Sequence, residues 1–150
     1  MILEYARMRD TAKPPVRANP SDAGLDIFYN PENDEAVTIA PGESVVLEYR
    51  FGVPHGYMLE VKNRSGLASK RSLVVGACVI DAGYDGEVLI NLHNIGNETQ
   101  TVQPYTKIAQ IVMVPVVHFR ALETHGGNLY SWYPIAMTER EDGGFGSTGA

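Results

Sequence analysis

No part of this chain is long and regular enough to form a substantial amphipathic helix. Short apolar and β-branched runs alternate instead with Gly, Pro, Asn and Asp punctuation. Residues 24–29, 36–39, 44–51, 57–62, 73–80, 87–93, 101–102 and 107–117 read as strands. Turn signals separate them at 30–33, Pro41-Gly42, His55-Gly56, 83–86 and Gly96-Asn97. So many short strands at this spacing favour an all-β sandwich or jelly roll over a βαβ sheet. A helix is expected only at 65–71, for a turn or two. Ser65 is the expected cap, leaving backbone N–H groups near Arg64 to face an anion.

The length of 150 residues fits one domain with a real core. A formal net charge of -6 argues against direct nucleic-acid binding. The densest basic stretch, Lys62, Arg64, Lys70 and Arg71, is too small for a duplex but large enough for a triphosphate. One cysteine, Cys78, excludes an internal disulfide and a Cys-rich metal cluster. The four histidines, His55, His93, His118 and His125, have no metal-ligand spacing. Residues 1–10 lack the apolar core of a signal peptide. The run 111–117 contains Pro115 and is too short to span a bilayer. A soluble protein without membrane association, cytoplasmic or otherwise intracellular, is the expectation. Three regions follow along the chain: a jelly-roll core at 1–118, an extended insert or linker at 119–139, and a Gly-rich arm at 140–150. The arm is too poor in apolar residues to pack by itself and is expected to stay flexible until a ligand orders it.

Five stretches carry candidate chemistry, and each has a plain structural reading. AGLD (23–26) could be a turn entering a strand. NRSGLASK (63–70) could be a surface helix with solvated bases. VIDAGYDGEV (79–88) reads as a β-hairpin with Gly83 or Gly86 in its turn. KIAQIV (107–112) would pass as an ordinary strand. GGFGSTG (143–149) has the glycines of a phosphate loop but lacks a P-loop's Lys and following helix.

Taken together, in order and spacing, these stretches resemble the five motifs of the trimeric, all-β dUTP pyrophosphatase (dUTPase) family. The family patterns are A-G-x-D, R-S-G-L-A, G-V-I-D-x-x-Y-x-G-E, [RK]-I-A-Q and R-x-x-G-G-F-G-S-T-G. The resemblance spans residues 23–149 and implies a distorted jelly-roll or β-clip fold with one short helix. It also implies hydrolysis of dUTP to dUMP and pyrophosphate, by Mg²⁺-assisted attack of water on the α-phosphorus. Such chemistry needs an activated water, neutralised phosphates and a fixed nucleoside. By resemblance Asp81 is the general base. Asp26 acts from behind the Mg²⁺, through water, while the phosphates themselves hold most of the metal. Arg64, Ser65, Gly66 and Gln110 match phosphate-contacting positions. Arg140 and the backbone of Gly146, Ser147 and Thr148 would close over the γ-phosphate, with Phe145 over the uracil. The backbone of Cys78, Val79, Ile80 and Leu89 would read the uracil edge, and Tyr84 would pack on the deoxyribose. The family assembles as a homotrimer in which three subunits share each active site.

Several positions depart from the pattern. Cys78 stands where Gly is usual, Gly83 and Asp85 replace the Asp and Arg of D-Y-R-G, and Asn63 replaces a common Pro. Glu141 follows the tail arginine where Gly is usual, and the segment between KIAQ and the tail is long. Two alternatives stay open. IDAGYDG is similar to the I-D-P-G-F-x-G of dCTP deaminases, which share the fold; Asn91, however, stands where their catalytic Glu would, and an amide cannot shuttle protons. The fold could also serve as a nucleotide-gated regulatory binding protein, with the aromatic-rich insert within 119–139 as its protein-partner surface.

Overall fold

The computed structural model of the chain describes residues 1–127 and 129. Ten strands and one α-helix follow one another within it, before a short 3-10 turn at His125–Gly127. They are β1 (Glu4–Ala6), β2 (Leu25–Phe28), β3 (Val37–Ile39), β4 (Ser44–Gly52), β5 (Tyr57–Lys62), α1 (Ser65–Arg71), β6 (Leu73–Val75), β7 (Val79–Asp81), β8 (Val88–Asn94), β9 (Gln100–Val102) and β10 (Lys107–Pro115). One four-stranded sheet has the order β1-β4-β8-β6 and another β2-β10-β5-β7, with β3 and β9 forming a separate two-stranded ladder. All pairings are antiparallel. The fold is mostly β with one short helix, as the turn-punctuated pattern predicts.

Alternation along the strands builds the core. In β8, Val88, Ile90, Leu92 and Asn94 point inward while Leu89, Asn91 and His93 point outward. Ile27, Phe51, Leu59, Leu73, Ile108 and Ile111 join them in one buried cluster. Asn94, though polar, is fully buried and fully bonded. Its amide donates to the carbonyls of Ile39 and Glu98, each at 2.8 Å, and accepts from the Gly96 N–H at 3.0 Å. A buried amide bonded in this way ties the end of β8 to the β3 ladder without a desolvation penalty.

Four sequence expectations need correction. The run 73–80 is two strands: β6 joins the first sheet and β7 the second, with the break at Gly76. A Cβ at Gly76 would lie 2.3 Å from Asn91 Oδ1, so the chain passes there against a β8 side chain. Residues 79–88 are likewise not a paired hairpin. β7 pairs with β5 and β8 with β4 and β6, so the turn crosses from one sheet to the other. Arg64, not Ser65, is the residue before α1, and no side chain caps it there; Ser65 is the first helical residue. β10 stops at Pro115, whose ring cannot donate to a ladder. The short edge strand β1 was not anticipated, because all three of its residues are exposed and carry no alternation.

Inside the core, Tyr49 of β4 makes a polar link to β2. Its hydroxyl accepts from the Phe28 N–H, next to the register shift in β10, and from Asn30 Nδ2 at 2.7 Å. Burial pushes the phenol up to about 12, against the opposing effect of these two hydrogen bonds. The neutral form is therefore stabilised by folding, a contribution present below pH 10 and lost as pH rises towards 12. Tyr49→Phe keeps the ring stacked near Phe51 but strands two buried donors. It is expected to cost about 1–3 kcal/mol in urea unfolding at neutral pH. An unchanged midpoint would show that water satisfies both donors and that this link does not hold the sheets.

Candidate active site

The second sheet collects most of the motif residues. β2 ends the AGLD stretch, and its Asp26 stands opposite Gln110 of β10; Gln110 in turn stands opposite Lys62, the last residue of β5. The glycine of AGLD is sterically required. A Cβ at Gly24 would fall 2.6 Å from the Ile111 carbonyl oxygen. Backbone and backbone therefore touch where this turn enters the sheet.

Asp26 is buried, and both of its oxygens are engaged. Arg64 Nη1 pairs with Oδ1, and Lys107 Nζ lies 2.8 Å from Oδ2. Burial alone would raise this carboxyl. The hydrogen bonds and charges of Lys107 and Arg64 outweigh it, and the net shift is below the usual carboxylate range. Lys107 had no role in the sequence reading. Its place at the head of KIAQ was the available signal, but its partner depends on the β2–β10 register.

Beyond β5 the chain turns into α1 and presents Arg64, Ser65 and Gly66. Ser65 and Gly66 are exposed. Nothing lies within 4 Å of where a Gly66 Cβ would be, so packing within the chain does not require glycine there. A helical Gly costs up to about 1 kcal/mol relative to Ala, so its use here suits close approach of an external group to the backbone. Gln110 points its amide at this segment, donating to the Asn63 carbonyl at 3.1 Å.

A second group lies on β7 and the crossing turn. Cys78 and Asp81 are exposed, Val79 is 54% exposed, and Leu89 on β8 is 49% exposed. Ile80 is a core side chain, which leaves its backbone as the available contact. Tyr84 folds back over its own turn: its hydroxyl donates to the Glu87 carbonyl at 2.8 Å. A Cβ at Gly86 would sit 2.4 Å from that hydroxyl, so any larger residue there would displace the Tyr84 side chain from this position. Asp85, at the position where the pattern has Arg, pairs with Arg50 of β4. Asn91, at the place of the deaminase Glu, has its Oδ1 bonded to His93 Nε2 at 2.6 Å.

The two groups are not together in one chain. β5 pairs with both neighbours: Met58 stands opposite Asp81, while Lys62 stands opposite Gln110. Four residues of extended strand separate those rows by about 13 Å. The expected tail contacts, Arg140, Phe145, Gly146, Ser147 and Thr148, lie outside the described residues. Of the insert, Phe119, Leu122 and Leu129 are exposed, and residues 128 and 130–139 likewise lie outside the described residues.

Comparison with known proteins decides the family. The dUTPase family profile matches residues 10–149. The chain belongs to the dUTPase family. A deoxyuridine 5'-triphosphate nucleotidohydrolase of Hydrogenobaculum is 33% identical over 153 residues, covering 99% of both chains. Among solved structures, the dUTPase of Staphylococcus bacteriophage 80alpha with dUPNHPP superposes with a TM-score of 0.82 at 26% identity, covering 99% of both chains. A dUTPase variant from phage phi11 of S. aureus, whose structure details the coordination of a structural Mg(II) ion, reaches 0.74 at 27% identity. That match covers 83% of this chain and 97% of the other.

For this dUTPase-family chain, the Asp26 cluster makes a pH-dependent prediction. A carboxyl held below its normal value contributes stability that is full above about pH 4 and is lost as pH falls through its lower folded value. Asp26→Asn is therefore expected to lose about 1–3 kcal/mol at pH 7. The loss should shrink as wild type and variant are compared below pH 4. A difference independent of pH would show that shape, not charge, makes Asp26 necessary.

Proposed function

We propose that the chain hydrolyses dUTP to dUMP and pyrophosphate in a site assembled from neighbouring copies of itself. The observation that carries this reading is the division of the motif residues along β5. One end presents the cationic Arg64 segment, and the other presents an exposed carboxylate, Asp81, beside the exposed residues Cys78 and Val79 on the edge strand β7. A triphosphate needs the first and a nucleoside the second. One chain holds them too far apart to serve the same α-phosphorus, and a homotrimer with shared sites brings them together.

Arg64 donates through its planar fork to phosphate oxygens, and the Ser65 hydroxyl and backbone N–H groups at Ser65 and Gly66 add further donors. Once Arg64 turns towards phosphate, Lys107 remains to hold Asp26 ionised. The neighbouring copy's β7 lays its backbone against the uracil edge. A tight fit there disfavours the 5-methyl of thymine and mispairs the amino group of cytosine. Tyr84, fixed by its bond to the Glu87 carbonyl, presents its ring to the deoxyribose. Asp81 takes the proton from the attacking water as the water adds to the α-phosphorus and pyrophosphate leaves. Arg140, Phe145 and the Gly146–Ser147–Thr148 backbone close the site over the γ-phosphate and base.

Mg²⁺ fits this donor set as a cation carried in by the substrate. Both Asp26 oxygens are already bonded, and among the described residues no three His, Cys, Asp or Glu side chains gather into a metal site. When bound, it supplies charge neutralisation on the phosphates.

The test offers dUTP, dTTP, dCTP and UTP with Mg²⁺ and follows pyrophosphate and ammonia separately. Pyrophosphate release from dUTP, without ammonia from dCTP, is expected. Asp81→Asn should lower kcat at least about 100-fold while leaving dUMP binding intact. A variant retaining a tenth of the rate would remove Asp81 from the role of base. Excess chelator should slow turnover without changing the melting temperature.

A further inference from the structure

The segment that presents Arg64, Ser65 and Gly66 leans on the hydrophobic core through one side chain, Leu67. α1 has no buried residue, and Leu67 itself is partly buried. The helix is otherwise fixed by polar bonds at its two ends. At the far end, Arg71 donates to Gln100 Oε1 at 2.9 Å and to the Thr101 carbonyl of β9. The Ser72 carbonyl, just past the helix, accepts from the Ile95 N–H at 2.9 Å.

At the near end two adjacent residues make the connection, Arg64 through its pair with Asp26 and Asn63 through two hydrogen bonds. Asn63 follows β5 directly and precedes Arg64. Its side-chain Oδ1 accepts from the Val75 N–H at 2.6 Å, and its carbonyl accepts from Gln110 Nε2 at 3.1 Å. Three separate pieces of chain thus meet at one exposed amide: the exit of β5, the end of β6, and β10. Proline, common here in the family pattern, limits backbone freedom through its ring and has no such side chain. Asparagine leaves the backbone freer, and in this chain the side-chain bond takes over the restraint.

We propose that Asn63 is a positioning residue for triphosphate binding. Through its bonds to Val75 and Gln110 it fixes where Arg64, Ser65 and Gly66 stand. This rests on the reading of that segment as the phosphate site. Gln110 gives one amide N–H to the Asn63 carbonyl and has a second for phosphate. The substrate contacts beyond the nucleoside monophosphate should depend on this arrangement, and the base and sugar contacts on β7 should not.

The experiment compares wild type, Asn63→Leu and Asn63→Asp as full-length protein. Affinities for dUPNHPP and for dUMP are measured by calorimetry, and exchange of the Val75 amide by NMR. Leucine keeps the bulk and removes the acceptor. Aspartate restores the acceptor while adding a charge of the wrong sign for a phosphate site, so its recovery is read from Val75 exchange. A single hydrogen bond of this kind predicts a dUPNHPP affinity about three- to ten-fold weaker in Asn63→Leu. Affinity for dUMP should be unchanged, the Val75 amide should exchange faster in Asn63→Leu, and Asn63→Asp should return Val75 exchange to the wild-type rate even though its charge weakens dUPNHPP binding. In Asn63→Leu, unchanged dUPNHPP affinity, an equal loss for dUMP or unchanged Val75 exchange would each overturn the proposal, as would Val75 exchange that aspartate fails to restore. Wild-type protein that fails to bind dUPNHPP would overturn the phosphate-site reading itself.

Discussion

Strand β5 is paired on both edges, and its two registers set the distance between the halves of the site. On one edge β10 aligns Gln110 with Lys62, which places Arg64 just beyond the end of the ladder. On the other, β7 aligns Asp81 with Met58, near the start of the same strand. A one-residue slip of β5 against β10 would turn buried Leu59 and Val61 towards solvent, and a slip of β7 against β5 would turn out Ile80, so burial fixes the separation. The charged groups are consequences of that register. Asp26 reaches both Arg64 and Lys107 because β2 continues the sheet beyond β10.

Polar groups then refine what apolar alternation builds. Tyr49 joins the sheets through two donors of the β2 end, Asn94 closes the β3 ladder onto β8, and Asn63 ties the entry of α1 to the end of β6. Each lies where strand pairing alone leaves a backbone or side-chain group unsatisfied. The helix that carries Ser65 and Gly66 is held mainly in this way, which leaves both residues exposed.

Much of this was legible in the sequence. The strands announced themselves through alternation, and the helix at 65–71 through its short run between turn signals. The motif residues were recognisable by their resemblance, in order and spacing, to the five motifs of the dUTPase family. What failed was sheet membership. The run Val74-Val75-Gly76-Ala77-Cys78-Val79-Ile80 is apolar on both sides of its break, and local pattern does not report that β6 and β7 belong to different sheets. Edge strand β1 failed because all its residues face solvent. The roles of Lys107 and Arg50 were hidden for another reason. Their partners Asp26 and Asp85 are distant in sequence and are brought near only by registers that no local window contains.

The claim that most needs testing is that a working site draws Asp81 and Arg64 from different copies. Asp81→Asn and Arg64→Ala proteins, each nearly inactive alone, would be unfolded together in equal amounts, refolded, and assayed on dUTP. If the two residues come from neighbouring copies, every mixed assembly contains one intact site, and about a quarter of wild-type activity should return. Mixing the folded proteins without exchange should return none. Activity no higher than the mean of the two parents after refolding would place both residues in one chain's site and contradict the account.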